Sequence, residues 1–290
     1  MIKNAKLDAI SNVTPDRFHL NTSLEILQSK IHLLCEKPLA ENYPDAFRMT
    51  QAAKKSGVIN MVHFTYRKSA ALDTAAQLIH AGKIGSLRHI SGEYLQSWLV
   101  ANTYGDWKTS PSLLWRLSTA HGSKGVLGDV GVHLIDFVTR AAGSISSVNC
   151  HLKTFKKTKT GRIGKYQLDA NDSAIITAEF KNGASGVLSC TRFATGHANT
   201  VRASFYGDQG SILLNLDDSY ENLKICRGKN IERFQWDVMK SKEKPSVIHL
   251  FIQSIRSGKV ISPTFNEASE LQKVLDACFV SSKKSIKVLT

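Results

Sequence analysis

Two groups of residues carry side-chain types suited to proton transfer. The first is Glu36-Lys37-Pro38, which follows the apolar run Ile31 to Cys35 in IHLLCEKPLAENYPDAF, residues 31–47. A proline disfavours helical φ/ψ in the residue before it. Lys37 is thereby kept out of the helix that follows and can point across the end of the strand that precedes it. The second group lies in GSKGVLGDVGVHLIDF, residues 122–137, where Asp129, His133 and Asp136 stand at i, i+4 and i+7 on one helix face. A histidine and an aspartate one turn apart suit proton transfer together with orientation of a hydroxyl-rich ligand. Each motif alone also fits a plain role, an exposed strand-end turn for the first and a surface or capping histidine for the second.

The elements that must position these residues fall into two regimes. From residue 7 to about residue 65, short continuous apolar runs alternate with amphipathic stretches. LDAISNV is a strand. TPDRFHLNTSLEILQSK is a helix with Thr14 as N-cap, Pro15 at the first helical position and apolar spacing at Phe18, Leu24 and Leu27. IHLLC is a strand, NYPDAFRMTQAAKKSG a helix closed by Gly57, and VINMVHF a third strand. This alternation predicts βαβ units and a buried parallel sheet. Ligands of such sheets sit outside the carboxyl ends of the strands. Val13-Thr14-Pro15, Glu36-Lys37-Pro38 and Phe64-Tyr66-Arg67 are therefore candidates as a group.

After Arg67 the rhythm changes. A helix through ALDTAAQLIHAGKIG leads into the alternating strand SLRHISGEYLQS. DSAIITAEF and ASGVLSCTRF form a hairpin over a two-residue Asn182-Gly183 turn, and TVRASFYG, DQG and SILLNL form another. Helices are expected from Asp129 to about Ala142 and near 246–257 and 265–283. The expected organisation is an α/β domain over 1–66 and an α+β domain over 67–290, the latter built on a mostly antiparallel sheet of about 145–215.

Composition narrows the class. The chain has 290 residues, of which 42% are hydrophobic and 21% charged, the profile of a globular protein with sizeable cores. It holds no apolar run long enough to span a membrane. Its first twenty residues contain no signal-peptide core, so secretion is not expected. The five cysteines, Cys35, Cys150, Cys190, Cys226 and Cys278, are scattered with no CxxC pair. That pattern argues against a disulfide framework or a metal site and suits a reducing cytoplasm. The formal charge of +14 raises the question of a nucleic-acid partner. The basic stretches FKKTKTGRIGK, residues 155–165, and MKSKEKP, residues 239–245, carry Thr, Gly or Pro and interleave no aromatics. Both are expected to be solvated loops, with neither nucleic acid nor membrane as partner.

Taken together and in order, these motifs resemble the glucose-fructose oxidoreductase / inositol dehydrogenase / rhizopine catabolism family of NAD(P)-dependent oxidoreductases. The resemblance rests on Thr14-Pro15 with His19, Glu36-Lys37-Pro38, HAGKIGSLRHI at 80–90, Trp115-Arg116, the Asp129-x-Gly131-x-His133-x-x-Asp136 motif and the closing SGKVISPTFNEASELQKVLDACFVSSKKS. It implies a Rossmann-type doubly wound sheet, here partial, followed by an α+β domain with a large mostly antiparallel sheet. It implies hydride transfer between a sugar or cyclitol hydroxyl and NAD or NADP. In that chemistry the Lys37 ammonium favours a developing alkoxide, His133 accepts the hydroxyl proton, and Asp129 holds a neighbouring hydroxyl. Thr14, Pro15, His19, Glu36, Lys37, Arg67, Trp115 and Arg116 become the cofactor contacts, and Lys37, Arg116, Asp129 and His133 the substrate contacts. Homodimers or homotetramers formed through the free face of the antiparallel sheet are likewise implied.

The sequence departs from the family pattern in two places. The glycine run before the Asp129 helix is reduced to Ser123-Lys124-Gly125. No G-x-G-x-x-G loop between a strand and a helix precedes LDAISNV. The expectation is an N-terminally truncated or mis-started member, inactive or impaired in cofactor binding, with a sugar-binding module lacking turnover as the alternative.

Overall fold

The computed structural model describes residue 2 and residues 6–290. Continuous apolar runs near the start form three short parallel strands in the order β1 (Ala9–Asn12), β2 (His32–Cys35) and β3 (Asn60–Val62), joined by α1 (Asp16–Gln28) and α2 (Tyr43–Ser56). The Asn42 side chain caps α2 by accepting from the Asp45 amide at 3.0 Å. At α1 the cap differs from expectation. Pro15 occupies the N-cap position and Asp16 opens the helix, because the Thr14 hydroxyl turns back to donate to Asn12 Oδ1 at 2.7 Å.

A larger set of elements follows. In chain order these are α3 (Ala70–His80), β4 (Leu87–Leu95), α4 (Pro111–Leu114), a π-helical turn Leu127–Gly131 and α5 (Val132–Ala142). Next come β5 (Ile145–Lys153), the small hairpin β6 (Arg162–Ile163) and β7 (Tyr166–Gln167), β8 (Ser173–Phe180), β9 (Ser185–Thr191), β10 (Thr200–Gly207) and β11 (Gly210–Asn215). The chain ends with β12 (Asn222–Arg227), α6 (Asn230–Arg233), β13 (Asp237–Lys240), α7 (Val247–Ser257), α8 (Phe265–Lys284) and β14 (Val288–Leu289). Two units result, Met1–Lys68 with Lys244–Asp276 and Ser69–Glu243 with Ala277–Thr290. In the first, Leu34, Ile59 and Met61 pack with Val247, Leu250 and Phe251 of α7.

The second unit holds a nine-stranded sheet in the order β13-β12-β11-β10-β4-β9-β8-β5-β14, antiparallel throughout except for the parallel β4–β9 pair. It is wider than the span 145–215 because β4 and β14 join it and the segments NLKICR and DVMK also pair, as outer strands. Period-two alternation sets its faces: Ala174, Ile176, Ala178 and Phe180 of β8 are buried, while Ile175, Thr177 and Glu179 are exposed. Helix α5 lies against the sheet at Gly92, where a Cβ would approach Leu188 Cδ2 to 2.8 Å and Val138 Cγ2 to 3.1 Å. The β8–β9 turn is longer than the two-residue form expected. The Gly183 amide donates to Phe180 O at 3.0 Å, and Gly183 takes a left-handed φ of +86°.

Both basic stretches depart from the solvated-loop expectation. In the first, Lys157 turns inward: its side chain is 1% exposed and its Nζ meets the buried carboxylate of Asp172. In the second, Met239 and Lys240 belong to β13, where an edge lysine discourages pairing with another chain.

Candidate active site

In the first unit the candidate residues gather at the carboxyl ends of β1 and β2. Asn12 organises the end of β1: its Nδ2 donates to Ser23 Oγ at 3.0 Å, and its Oδ1 accepts from both the Thr14 amide and hydroxyl. His19 is wholly buried and lies between two backbone carbonyls, Nδ1 at 2.8 Å from Pro38 O and Nε2 at 2.8 Å from Thr14 O. It ties the loop holding Thr14 and Pro15 to the loop holding Lys37. A neutral imidazole has one N–H, so in either neutral tautomer the ring donates to one of the two carbonyls. Lys37, half-buried, precedes Pro38 through a cis bond.

Glu36 is fixed from two sides. The Nδ1–H of His63, at the end of β3, donates to Oε1 at 2.6 Å, and the Lys37 amide donates to Oε2 at 3.2 Å. Burial works to raise this carboxyl, but the hydrogen bond and charge of His63, with the amide and ammonium of Lys37, outweigh it and hold Glu36 below the usual carboxylate range. His63 escaped the sequence reading, although a histidine closing an apolar strand beside two other strand-end candidates was a usable signal. Arg67, which follows β3, is buried, donating to Ser262 Oγ at 3.2 Å with its NH2 3.8 Å from Glu267 Oε1.

In the second unit Asp129 does not lie on the α-helix with His133, as its spacing predicted. It occupies the π-helical turn that launches α5. Gly125, at φ +68°, allows the chain to enter this turn, and Asn171 secures it by accepting from the Leu127 amide at 3.1 Å and donating to Lys124 O at 3.1 Å. One Asp129 oxygen, Oδ2, faces two guanidiniums: Arg192 NH2 at 3.0 Å and Arg116 Nε at 3.7 Å. Arg116 also stacks on Trp115, with Cζ 4.7 Å from the ring centroid, and donates to Ser112 O at 2.6 Å. Opposite charges this close favour the ionised form, so Asp129 stands as a carboxylate that accepts hydrogen bonds.

His133 is buried at the start of α5, its ring centroid 6.3 Å from that of Tyr94. The Tyr94 hydroxyl and Gln96 Nε2 both donate to Asn199 Oδ1 at 2.8 Å, and Trp98 Nε1 donates to Gln96 Oε1 at 3.1 Å. Partial burial, and after it the charge of Asp129, push the Tyr104 hydroxyl above its ordinary value, which places Tyr104 within the field of this site. Arg192, Tyr104 and Tyr94 were not among the residues singled out from sequence. Tyrosines at the end of a strand and in a loop gave no pattern to notice, but an arginine closing the apolar strand SGVLSCT did.

Comparison with known proteins places this arrangement. Residues 1–64 match the model described as "Oxidoreductase family, NAD-binding Rossmann fold", and residues 72–213 match the GFO/IDH/MocA C-terminal domain. The chain belongs to the GFO/IDH/MocA oxidoreductase family. Levoglucosan dehydrogenase of Pseudarthrobacter phenanthrenivorans is 26% identical over 98% of this chain and 80% of its own length. A solved levoglucosan dehydrogenase in complex with NADH and levoglucosan superimposes with a TM-score of 0.87 at 26% identity, covering 100% of this chain and 82% of that one. An oxidoreductase domain protein from Kribbella flavida, 30% identical, gives 0.85 over 99% and 81%.

The family's cofactor is a nicotinamide dinucleotide, and the first unit of this oxidoreductase fits part of it. The anchored Glu36 carboxylate is an acceptor suited to ribose hydroxyls, and Thr14 and Pro15 precede the N-terminus of α1, where amides and helix dipole favour a phosphate. The 290 residues carry no G-x-G-x-x-G sequence to surround the diphosphate. Among the described residues no three His, Cys, Asp or Glu side chains gather as metal ligands. None of the described helices is long and apolar enough to cross a membrane.

Proposed function

We propose that this chain acts on a hydroxyl of a neutral sugar or cyclitol in the hydride-transfer chemistry of its family. The observation that carries the reading is Asp129, a carboxylate held by Arg192 and Arg116 one turn before His133. Asp129 accepts a substrate hydroxyl and fixes the sugar, with Arg116 as a further contact. His133 takes the proton of the reacting hydroxyl, and the Lys37 ammonium stabilises the alkoxide as it develops. Thr14, Pro15 and Glu36 hold the cofactor's diphosphate and ribose, with His19 tying together the loops that carry them. Trp115, through its stack with Arg116, and Arg67, through its place after β3, complete the proposed cofactor contacts. Bound NAD or NADP supplies the hydride acceptor.

A second reading is a sugar-binding module without turnover, which fits the lack of a G-x-G-x-x-G sequence within these 290 residues. Diphosphate binding then lacks the amide donors such a loop supplies, and cofactor affinity is weak. One experiment separates the two. The full chain is titrated calorimetrically with NAD and NADP, then assayed with levoglucosan, glucose and myo-inositol by the absorbance of reduced nicotinamide. Sugar-dependent reduction that disappears in H133A supports the dehydrogenase. Sugar binding without cofactor binding or turnover supports the module, and binding of no sugar refutes both.

The exposed face of the nine-stranded sheet presents Ile175, Val187 and Tyr206. It is the proposed contact of a homodimer or homotetramer, tested by sedimentation at micromolar concentration. Five unpaired cysteines fit a cytoplasmic setting, which labelling of thiols in intact cells tests.

A further inference from the structure

Arg192 directly follows β9, and its side chain is 0% exposed. Its guanidinium lies over the Trp98 ring, with Cζ 4.9 Å from the centroid. From there NH1 donates to Arg116 O at 3.1 Å and NH2 to Asp129 Oδ2 at 3.0 Å. The same Arg116 carbonyl accepts from Ser123 Oγ at 2.6 Å. One planar fork therefore fixes three segments: the end of β9, the turn carrying Arg116 and the π-helical turn carrying Asp129.

This is an expensive way to fill a core. A buried charge is destabilising unless it is paired and hydrogen-bonded, and an apolar side chain of similar volume often serves as well or better. Burial works against the Arg192 charge, with Asp129 and then Asp172 working the other way. Among the described residues the buried Nε has no hydrogen-bond partner, a further cost that packing does not explain. Trp98 beneath the guanidinium is itself secured through Gln96, and Gln96 through Asn199. The whole arrangement converges on one half-exposed carboxylate.

Resting on the reading that Asp129 accepts a substrate hydroxyl, we infer that Arg192 is the positioning residue of the sugar site. It holds Asp129 ionised and in the one orientation in which the carboxylate receives that hydroxyl. Arg116, which is partly exposed and reaches Asp129 only at 3.7 Å, does not replace it. A lysine at position 192 keeps the charge but lacks the fork that spans Arg116 O and Asp129 together.

The test uses the full chain with R192Q and R192K, both checked for native folding by near-ultraviolet circular dichroism. Binding of levoglucosan and myo-inositol is measured by calorimetry without cofactor. The Asp129 carboxyl carbon, assigned by difference from D129N, is followed by NMR as pH is varied. Sugar affinity is expected to fall at least ten-fold in R192Q and by a smaller factor in R192K. The Asp129 signal is expected to titrate at higher pH in R192Q, because removing a positive neighbour favours the neutral acid. A folded R192Q with wild-type sugar affinity, or with an unmoved Asp129 titration, overturns the inference. If R192Q does not fold, R192K decides by sugar affinity, and a folded R192K with wild-type affinity overturns the inference. If the wild type binds neither sugar, the proposed function falls, and the NMR titration alone decides whether Arg192 governs Asp129.

Discussion

Replacing Lys157 by methionine is expected to destabilise the second unit more than any exposed lysine substitution. Lys157 and Asp172 have side chains 1% and 0% exposed, so neither charge has water to fall back on. Asp172 Oδ2 accepts from Lys157 Nζ and from the Phe155 amide at 2.9 Å, while Oδ1 is buried with no partner among the described residues. Removing the lysine leaves a buried carboxylate with one backbone donor, and breaking such a pair from one side costs about 3–5 kcal/mol. At about 2–4 °C per kcal/mol for a unit of this size, the melting temperature should fall by about 6–20 °C. The double variant K157M/D172L removes both charges and should recover about half of the loss. What remains is the unsatisfied Phe155 amide, worth about 1–3 kcal/mol. Urea unfolding followed by circular dichroism on wild type, both single variants and the double variant gives the coupling directly. The reasoning is refuted if K157M lies within about 1 kcal/mol of wild type, the range of an exposed ion pair. It is equally refuted if the double variant is as unstable as the sum of the single ones.

Glu36 makes stability depend on pH in the acid range. Its folded value lies below the ordinary 4.5, so its contribution is full above that value and is lost as pH falls through the folded one. Urea unfolding between about pH 3 and pH 7 should therefore show a shallower acid loss in E36Q and H63A than in wild type. Equal slopes in all three would refute the His63–Glu36 coupling. G125A should cost about 1–2 kcal/mol, because its left-handed φ penalises any Cβ and the added carbon would come within 2.4 Å of the Asn171 amide group. It should also weaken sugar binding through Asp129, so a variant with unchanged melting and affinity would count against it. Burial pushes the Cys35 and Cys190 thiols up to about 12, so both should resist Ellman's reagent near neutral pH and react only after unfolding.

The parts of the fold that follow from local pattern were legible in the sequence. Apolar strands alternating with helices announced the parallel sheet, and helices near 246–257 and 265–283 stand within a residue of those positions. What escaped depended on distant residues. NLKICR and DVMK are short and carry few apolar residues, and they pair in succession, β12 along the edge of β11 and β13 along the edge of β12. Lys157 looks solvated until Asp172, fifteen positions later, is brought beneath it. In the site, Asp129 and His133 were visible by type and spacing, but the π-helical turn that separates them depends on Asn171. Arg192 was hidden because its meaning lies in Trp98, Arg116 and Asp129, none of which is near it in sequence.

The place of β4 in the large sheet governs when this protein can acquire its structure. Glu93, in the middle of β4, pairs with Ser189 on one side and Arg202 on the other. Both partners lie roughly a hundred residues downstream, a separation that makes closure of the sheet slow compared with local hairpins. During synthesis at about 5–20 residues per second, β4 waits several seconds beyond its own emergence with both edges unmet. Its inward residues Leu87, Ile90 and Tyr94 are apolar and form a strand ready to pair with the wrong chain. A ribosome stalled between about residues 140 and 180, once β4 has left the exit tunnel, should therefore carry a nascent chain that recruits chaperones strongly, and one stalled well past residue 207 should release them.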